Sequence, residues 1–247
     1  MRPMPHPAHR RQAQQGFSLL ETFIGITIGL FILAGLITVF STTLRVFSEQ
    51  SSMSRWQDNE RTAMQMLTTV IEHAGYYYNP QTQLKATAFP TQNLTLDTTQ
   101  VIQFIAPGQV ITGDTISGID TVTVRYWPST SGASTSDFME DCNGGLAGAG
   151  SSSMVINTFT LNGSELTCAV GSQQARTLAS GIKDWSVLYG VDSDGDGSVD
   201  AYLPASVMTI TSWPTVVSVQ ITLNFLDPLN SSQKIPAVRV INFMGNG

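Results

Sequence analysis

Charge is scarce in this sequence: Asp, Glu, Lys and Arg together make up 12% of its 247 residues, and Lys and Arg number only 12 against 18 acids. A nucleic-acid-binding surface needs clustered basic residues, and no such footprint is present. Histidine is scarcer still. His6 and His9 fall in a proline-rich opening stretch, which leaves His73 as the one imidazole further along the chain. Ser-His-Asp and Cys-His arrangements both need a positioned imidazole, so nucleophilic catalysis has little to build on. The glycine-rich segments lack the Lys of a phosphate-binding loop. With two cysteines, Cys142 and Cys168, a structural zinc site is also short of ligands. The expectation is a protein that is not an enzyme and has no nucleic-acid partner.

What the chain does have begins at its amino terminus. Residues 1–15 carry Arg2, Arg10 and Arg11 with no acid, and Pro3, Pro5 and Pro7 deny them any helical period. Then comes Gly16-Phe17-Ser18-Leu19-Leu20-Glu21, followed by an uncharged run from Thr22 to Leu44. That run exceeds the ~20 apolar residues needed to span a bilayer. A carboxylate near the end of such a segment costs a few kcal/mol unless it reaches water or meets a cation. Cleavage between Gly16 and Phe17 would supply that cation, as a new α-amine at the head of the same helix or a neighbouring one.

A basic leader, a Gly, Phe-Ser-Leu-Leu-Glu and an apolar helix resemble the signal of type IV prepilins and type II secretion pseudopilins. The resemblance implies that a membrane-embedded prepilin peptidase cuts after Gly16 and methylates the amine of Phe17, and that Glu21 guides docking into a growing filament. Two alternatives remain at this point. One is an ordinary signal peptide cut after the apolar run, near Ala34-Gly35 or Ser41. The other is a plain uncleaved anchor. Loss of the leader would take the charge from 12 minus 18 to 9 minus 18, or −9. Basic residues stay cytoplasmic, so the remainder is expected outside, in the periplasm and then at the cell surface.

Past Leu44 the pattern turns amphipathic without a break. Ala63, Leu67, Val70, Ile71 and Ala74 recur at helical spacing, while Arg55, Asp58, Glu60, Arg61 and Glu72 can face outward. One helix is predicted from Phe17 to about Ala74, stopped by Gly75, with Tyr76-Tyr77-Tyr78 and Pro80 beyond. The tyrosines read as packing between helix and sheet. Gly25 and Gly29 lie four apart, which permits close helix approach in lipid or simply reflects the frequency of glycine in membrane helices.

From Thr98 the pattern becomes extended. Val101–Ala106, Thr121–Trp127, Val155–Leu161, Glu165–Val170, Trp185–Tyr189, Val216–Phe225 and Ala237–Phe243 are rich in β-branched and aromatic residues. Asn162-Gly163 marks a hairpin between two of them. Ser129–Ser136 and Asn143–Ser153 read as surface loops. A long helix followed by an antiparallel sheet is an α+β, pilin-like plan. The expected organisation is a leader over 1–16, a helix over 17–75 whose first part (17–44) crosses the membrane or forms the filament core, and an exported domain over 76–247. Cys142 and Cys168 are expected to pair there, since two cysteines in an oxidising compartment most simply form one disulfide.

One other stretch carries evident chemistry: Asp192-Ser193-Asp194-Gly195-Asp196-Gly197-Ser198-Val199-Asp200. Alternate carboxylates at Asp192, Asp194 and Asp196 can converge on a hard cation, with the Ser198 carbonyl and Asp200 completing the set, as in the first nine positions of an EF-hand loop. Leu203 stands where the bidentate Glu would be, and the flanks read as strand, so a free-standing calcium loop is the expectation and an Asp/Gly-rich hairpin turn the alternative. Its spacing is not that of a glycosidase carboxylate pair.

Tyr189-Gly190-Val191 before this loop, Tyr202 after it and the Asp141-Cys142 region are similar to PilW-type minor pilins. That resemblance implies a subunit that helps initiate a type IV pilus or caps its tip, with other minor and major pilins as partners through the helix. The alternatives are a J-type pseudopilin of type II secretion or an adhesive module at the tip.

Overall fold

In the computed structural model, residues 16, 18–77, 80–95, 101–116, 118–128, 139–147, 154–230 and 232–243 are described. The leader expected over residues 1–15, Phe17, Tyr78, the loop at Ser129–Ser136 and the second part of the Asn143–Ser153 loop lie outside them. The chain divides into two compact units, Met1–Ser51 and Ser52–Gly247.

Helix α1 runs Leu19–Glu72 and belongs to both units. In the first unit its apolar side chains are exposed: Leu19, Phe23, Phe31, Leu36 and Phe40 all face outward. Its hydroxyls are satisfied within the helix, because Thr27, Thr38, Ser41, Thr42 and Thr43 each donate to the carbonyl four residues back, at 2.7–3.0 Å. Such back-bonding pairs these hydroxyls within the helix, which is what a hydrocarbon environment requires. The helix is long and apolar enough to cross a membrane.

In the second unit, α1 buries Ala63, Met64, Leu67, Val70 and Ile71. His73, Ala74 and Gly75 form the turn that ends it, with Gly75 at φ 80°, a conformation glycine adopts without a Cβ penalty. The Gly75 N–H donates to Arg125 O at 3.0 Å, and Trp127 N–H donates to Tyr76 O at 2.8 Å, so the chain leaving the helix pairs at once with a strand end. Tyr77 packs edge-on against Phe89, with ring centroids 5.7 Å apart.

A short helix α2 (Lys85–Ala88) precedes the strands β1 (Gln92–Thr95), β2 (Val101–Phe104), β3 (Ile111–Ile116), β4 (Ile119–Tyr126), β5 (Met139–Glu140), β6 (Leu146–Ala147) and β7 (Val155–Asn162). The remaining strands are β8 (Glu165–Val170), β9 (Arg176–Ser180), β10 (Ile182–Val191), β11 (Ala201–Leu203), β12 (Val216–Leu226) and β13 (Lys234–Asn242). They form a five-stranded sheet of order β3-β4-β7-β8-β9, a four-stranded sheet of order β11-β10-β12-β13, and the hairpins β1-β2 and β5-β6. Every pairing is antiparallel. With the packed helix this is an α+β, pilin-like architecture.

Asp120 joins the two larger sheets. Its carbonyl accepts from Trp185 Nε1 at 2.8 Å and its carboxylate from the Val187 N–H at 3.1 Å. Beside it, the Tyr189 hydroxyl donates to Thr121 O at 3.2 Å. The core between helix and sheets contains Leu67, Ile71, Phe159, Leu166, Tyr189, Val219, Ile221 and Phe225, all essentially without exposed surface.

Arg125, on β4, is also fully buried. Its guanidinium donates to the carbonyls of Gln109 (2.8 Å), Pro90 (2.7 Å) and Phe89 (3.2 Å) and lies 4.0 Å from the Phe104 ring centroid. Burial brings its pKa down to about 10, which leaves it a cation at neutral pH. Three carbonyls and an aromatic face replace the water it has lost, and in return it ties the segment before β1 to the five-stranded sheet.

Candidate functional site

The residues singled out in the sequence lie at the head of α1, in the acidic loop between β10 and β11, and at the Cys142–Cys168 pair. At the head of α1, Gly16 is exposed and Phe17 lies outside the described residues. Glu21 occupies the first helical turn, where the helix dipole favours a negative charge. Its N–H donates to Ser18 O at 3.0 Å, and its side chain is exposed. Gly25 and Gly29 face open space, with nothing within 4 Å of where a Cβ would stand, so each leaves a shallow notch in the helix surface.

The acidic loop is built on a rigid base. Val191 pairs with Ala201, Gly190 with Tyr202 and Tyr189 with Leu203, and the Asp200 N–H donates to Val191 O at 2.9 Å. Above this base the carboxylates cap backbone N–H groups. Asp192, itself buried, accepts from Gly195 at 2.7 Å and Gly197 at 2.9 Å, while Asp200 accepts from Ser193 at 2.7 Å. The backbone amides of Gly197 and then Gly195 hold the Asp192 carboxyl below its ordinary pKa, against the opposing effect of desolvation. Gly195 (φ 78°) and Gly197 (φ 89°) adopt the left-handed turns that let the chain fold around these oxygens.

Of the four expected carboxylate ligands, the structure brings three together. One oxygen each from Asp192, Asp194 and Asp200 lie within 4.8 Å of one another, with Asp192 buried and the other two exposed. Oxygens on opposite sides of a calcium ion stand roughly 4.6–5.2 Å apart, given metal–oxygen distances of about 2.3–2.6 Å, so the trio fits one cation. Asp196 is not part of it. Its Oδ1 accepts from the Ser198 N–H at 2.7 Å, and the Ser198 carbonyl named in the expectation is not engaged by that bond. The spacing suggested that 192, 194, 196 and 200 share one cation; the carboxylates that meet are those of 192, 194 and 200, around the turns at Gly195 and Gly197.

The packing around the loop explains the motif that flanks it. A Cβ on Gly190 would overlap Ser218 Oγ and stand 3.0 Å from both Tyr202 and Val199. Glycine at this position lets Tyr202 lie across β10, where its hydroxyl meets Ser218 Oγ at 3.3 Å. Tyr189, one residue earlier, points to the other face and packs edge-on against Trp213 with centroids 4.8 Å apart.

Cys142 and Cys168 form a disulfide. It pins the β5-β6 hairpin to β8, and further ties reinforce it: Cys142 N–H donates to Asn157 Oδ1 at 3.0 Å, and the Tyr126 hydroxyl to Glu140 O at 3.0 Å. Asp141 caps the hairpin by accepting from Asn143 and Gly145, both at 2.8 Å. Arg125 was missed in the sequence, although a lone arginine within the apolar strand Thr121–Trp127 was a usable signal.

Residues 147–237 match the family model PilW, the type IV pilus-assembly protein W. Over that span the chain is similar to a type IV pilus-assembly family. The matched span is less than half of the chain; it contains Cys168, Tyr189-Gly190-Val191, the whole acidic loop and Tyr202, and excludes Asp141-Cys142. No curated protein matches the sequence.

Proposed function

We propose that this chain is a minor pilin, made as an inner-membrane precursor, cut after Gly16 by a prepilin peptidase, methylated on Phe17 and incorporated through α1 into a type IV pilus, where it helps to start the filament or caps its tip. The observation that carries this reading is the PilW match over the exported strands, on a chain that also begins with an apolar helix whose first turn holds Glu21. In an apolar bundle that carboxylate needs a cation, and the amine freed on Phe17 of a neighbouring or growing-end subunit has the right charge and depth.

Replacing Glu21 with Val tests it. Cleavage is expected to continue, since the scissile bond is unchanged, while the amount of this chain in sheared pili falls at least about tenfold, equivalent to ~1.4 kcal/mol of lost assembly free energy. Normal incorporation of Glu21→Val would remove the role given to the carboxylate.

Calcium is proposed as a structural ligand of Asp192, Asp194 and Asp200, favoured by the single-cation spacing of their oxygens. Binding to the folded state alone would raise the melting temperature of the intact chain. Adding EDTA should lower it, and Asp194→Ala should abolish the response. An unchanged melting temperature in wild type on chelation would eliminate the ion.

A further inference from the structure

Strand β13 forms an outer edge of the four-stranded sheet, and among the described residues nothing pairs with its far side. At nine residues it is much longer than β11 at the opposite edge, which has three. The Phe243 N–H donates to Val217 O at 3.2 Å, and the register pairs Ile241 with Val219 and Arg239 with Ile221. Antiparallel pairing alternates, so Phe243, Ile241, Arg239 and Ala237 direct their backbone groups toward β12, while Asn242, Val240, Val238 and Pro236 direct theirs outward. Pro236 therefore blunts the start of the edge at no cost to the β12 ladder. Beyond it, Val238, Val240 and Asn242 present free N–H and C=O groups, with Val238 57% and Val240 49% exposed.

Exposed edges invite pairing, and proteins usually protect them with charge or proline along their length. Here Pro236 covers only the start, and beyond it Arg239 is the single charged residue of the strand. Beside the open portion lies a groove of about 470 Å³ between β13 and the 57–69 stretch of α1, lined by Glu60, Arg61, Gln65 and Arg239. Neither Arg61 nor Arg239 has an ion-pair partner among the described residues, in a chain whose formal net charge is −6. Two guanidinium groups against one carboxylate give the groove a positive excess.

The geometry points to a docking site for an extended strand of another protein that reads apolar–acidic–apolar. Such a strand adds to β13 by hydrogen bonding to Val238 and Val240. Its residue opposite Arg239 falls in a non-hydrogen-bonded pair, where facing side chains come closest, with Cα atoms about 4.5 Å apart. That side chain enters the groove on the α1 side, so Asp or Glu there meets both Arg239 and Arg61. The residues on either side of it turn to the opposite face, beside Val238 and Val240, and apolar side chains pair best with them. The surface is independent of whether the chain enters a pilus.

The test uses the full chain in detergent micelles and millimolar peptide Thr-Val-Glu-Val-Thr, with Thr-Val-Lys-Val-Thr as control, read by amide hydrogen exchange. The Glu peptide is expected to slow exchange at Val238 and Val240 about tenfold, corresponding to roughly nine-tenths occupancy, and the Lys peptide to leave it unchanged. Arg239→Glu, a substitution at an exposed position, should reverse the preference. Equal protection by both peptides, protection by neither, or a preference unchanged in Arg239→Glu overturns the proposal. Protection that grows with protein concentration in the absence of peptide assigns the edge to a second copy and overturns it as well.

Discussion

His73 shows how one side chain can set a pH response. It follows the last turn of α1 with its ring edge-on to Tyr126, centroids 5.5 Å apart, and its buried Nδ1 has no hydrogen-bond partner among the described residues. Burial lowers its pKa below 6.5, outweighing the Glu72 and Glu140 carboxylates and the Glu140 backbone, which raise it. The unfolded chain therefore takes up a proton near pH 6.5, while the folded chain does so only at lower pH. Between those values the unfolded state binds more protons, so stability falls as pH drops below 6.5. Urea unfolding at about pH 7 and about pH 5 should show that loss in wild type and a smaller loss in His73→Phe. An identical loss in both would assign the response to other groups. The lowered carboxyls of Asp184 and Asp192 act in a separate window, below their ordinary 3.8, where their contribution is lost as they protonate.

Among the elements, the β5-β6 hairpin depends most on ties to the rest of the fold, because two residues per strand bury little of their own. The disulfide closes a separation of 26 residues, for which chain-entropy reasoning gives roughly 3 kcal/mol. Replacing both cysteines with Ser should cost about that much, and amide exchange over Met139–Ala147 should rise well before the β10-β12 ladder is affected. A uniform loss across the domain would show that the bridge supports the whole core instead. The helix and the long strands were legible in sequence because periodicity and β-branched runs dominate there. Glu165–Val170 is predicted and observed with the same bounds, and α1 ends two residues before the predicted Ala74 because the turn tightens ahead of Gly75. The Asn162-Gly163 hairpin forms, with Asn162 still paired to Glu165, so the two-residue loop is Gly163-Ser164. What escaped the sequence were β1, β3, β5, β6, β9 and β11, with β6 (Leu146–Ala147) lying inside the stretch Asn143–Ser153 expected to be a surface loop. Their residues, such as Arg176-Thr177 in β9 and Gly113-Asp114 in β3, carry no strand pattern, and partners distant in sequence decide their conformation. Gly113 is the clearest case: a Cβ there would overlap the Tyr189 hydroxyl, a contact only the folded sheets create. In the acidic loop the residue types were legible, but which oxygens meet depended on the glycine turns.

At the scale of the molecule, the two units present opposite surfaces to their surroundings. The first exposes Phe31 at 86% and Leu19 at 79%, a surface that water disfavours and that lipid or neighbouring helices must cover. The second buries its apolar residues between helix and sheets, and a disulfide pins its β5-β6 hairpin to β8. The proposed fate, a subunit held in the inner membrane and then drawn into a filament, requires cleavage of the bond between Gly16 and Phe17. Mass spectrometry of the chain recovered from sheared pili tests this most directly. The mature amino terminus is predicted to be Phe17 carrying one methyl group, with residues 1–16 gone. A chain that still begins at Met1, or one cut after the apolar run near Ala34-Gly35, would contradict it.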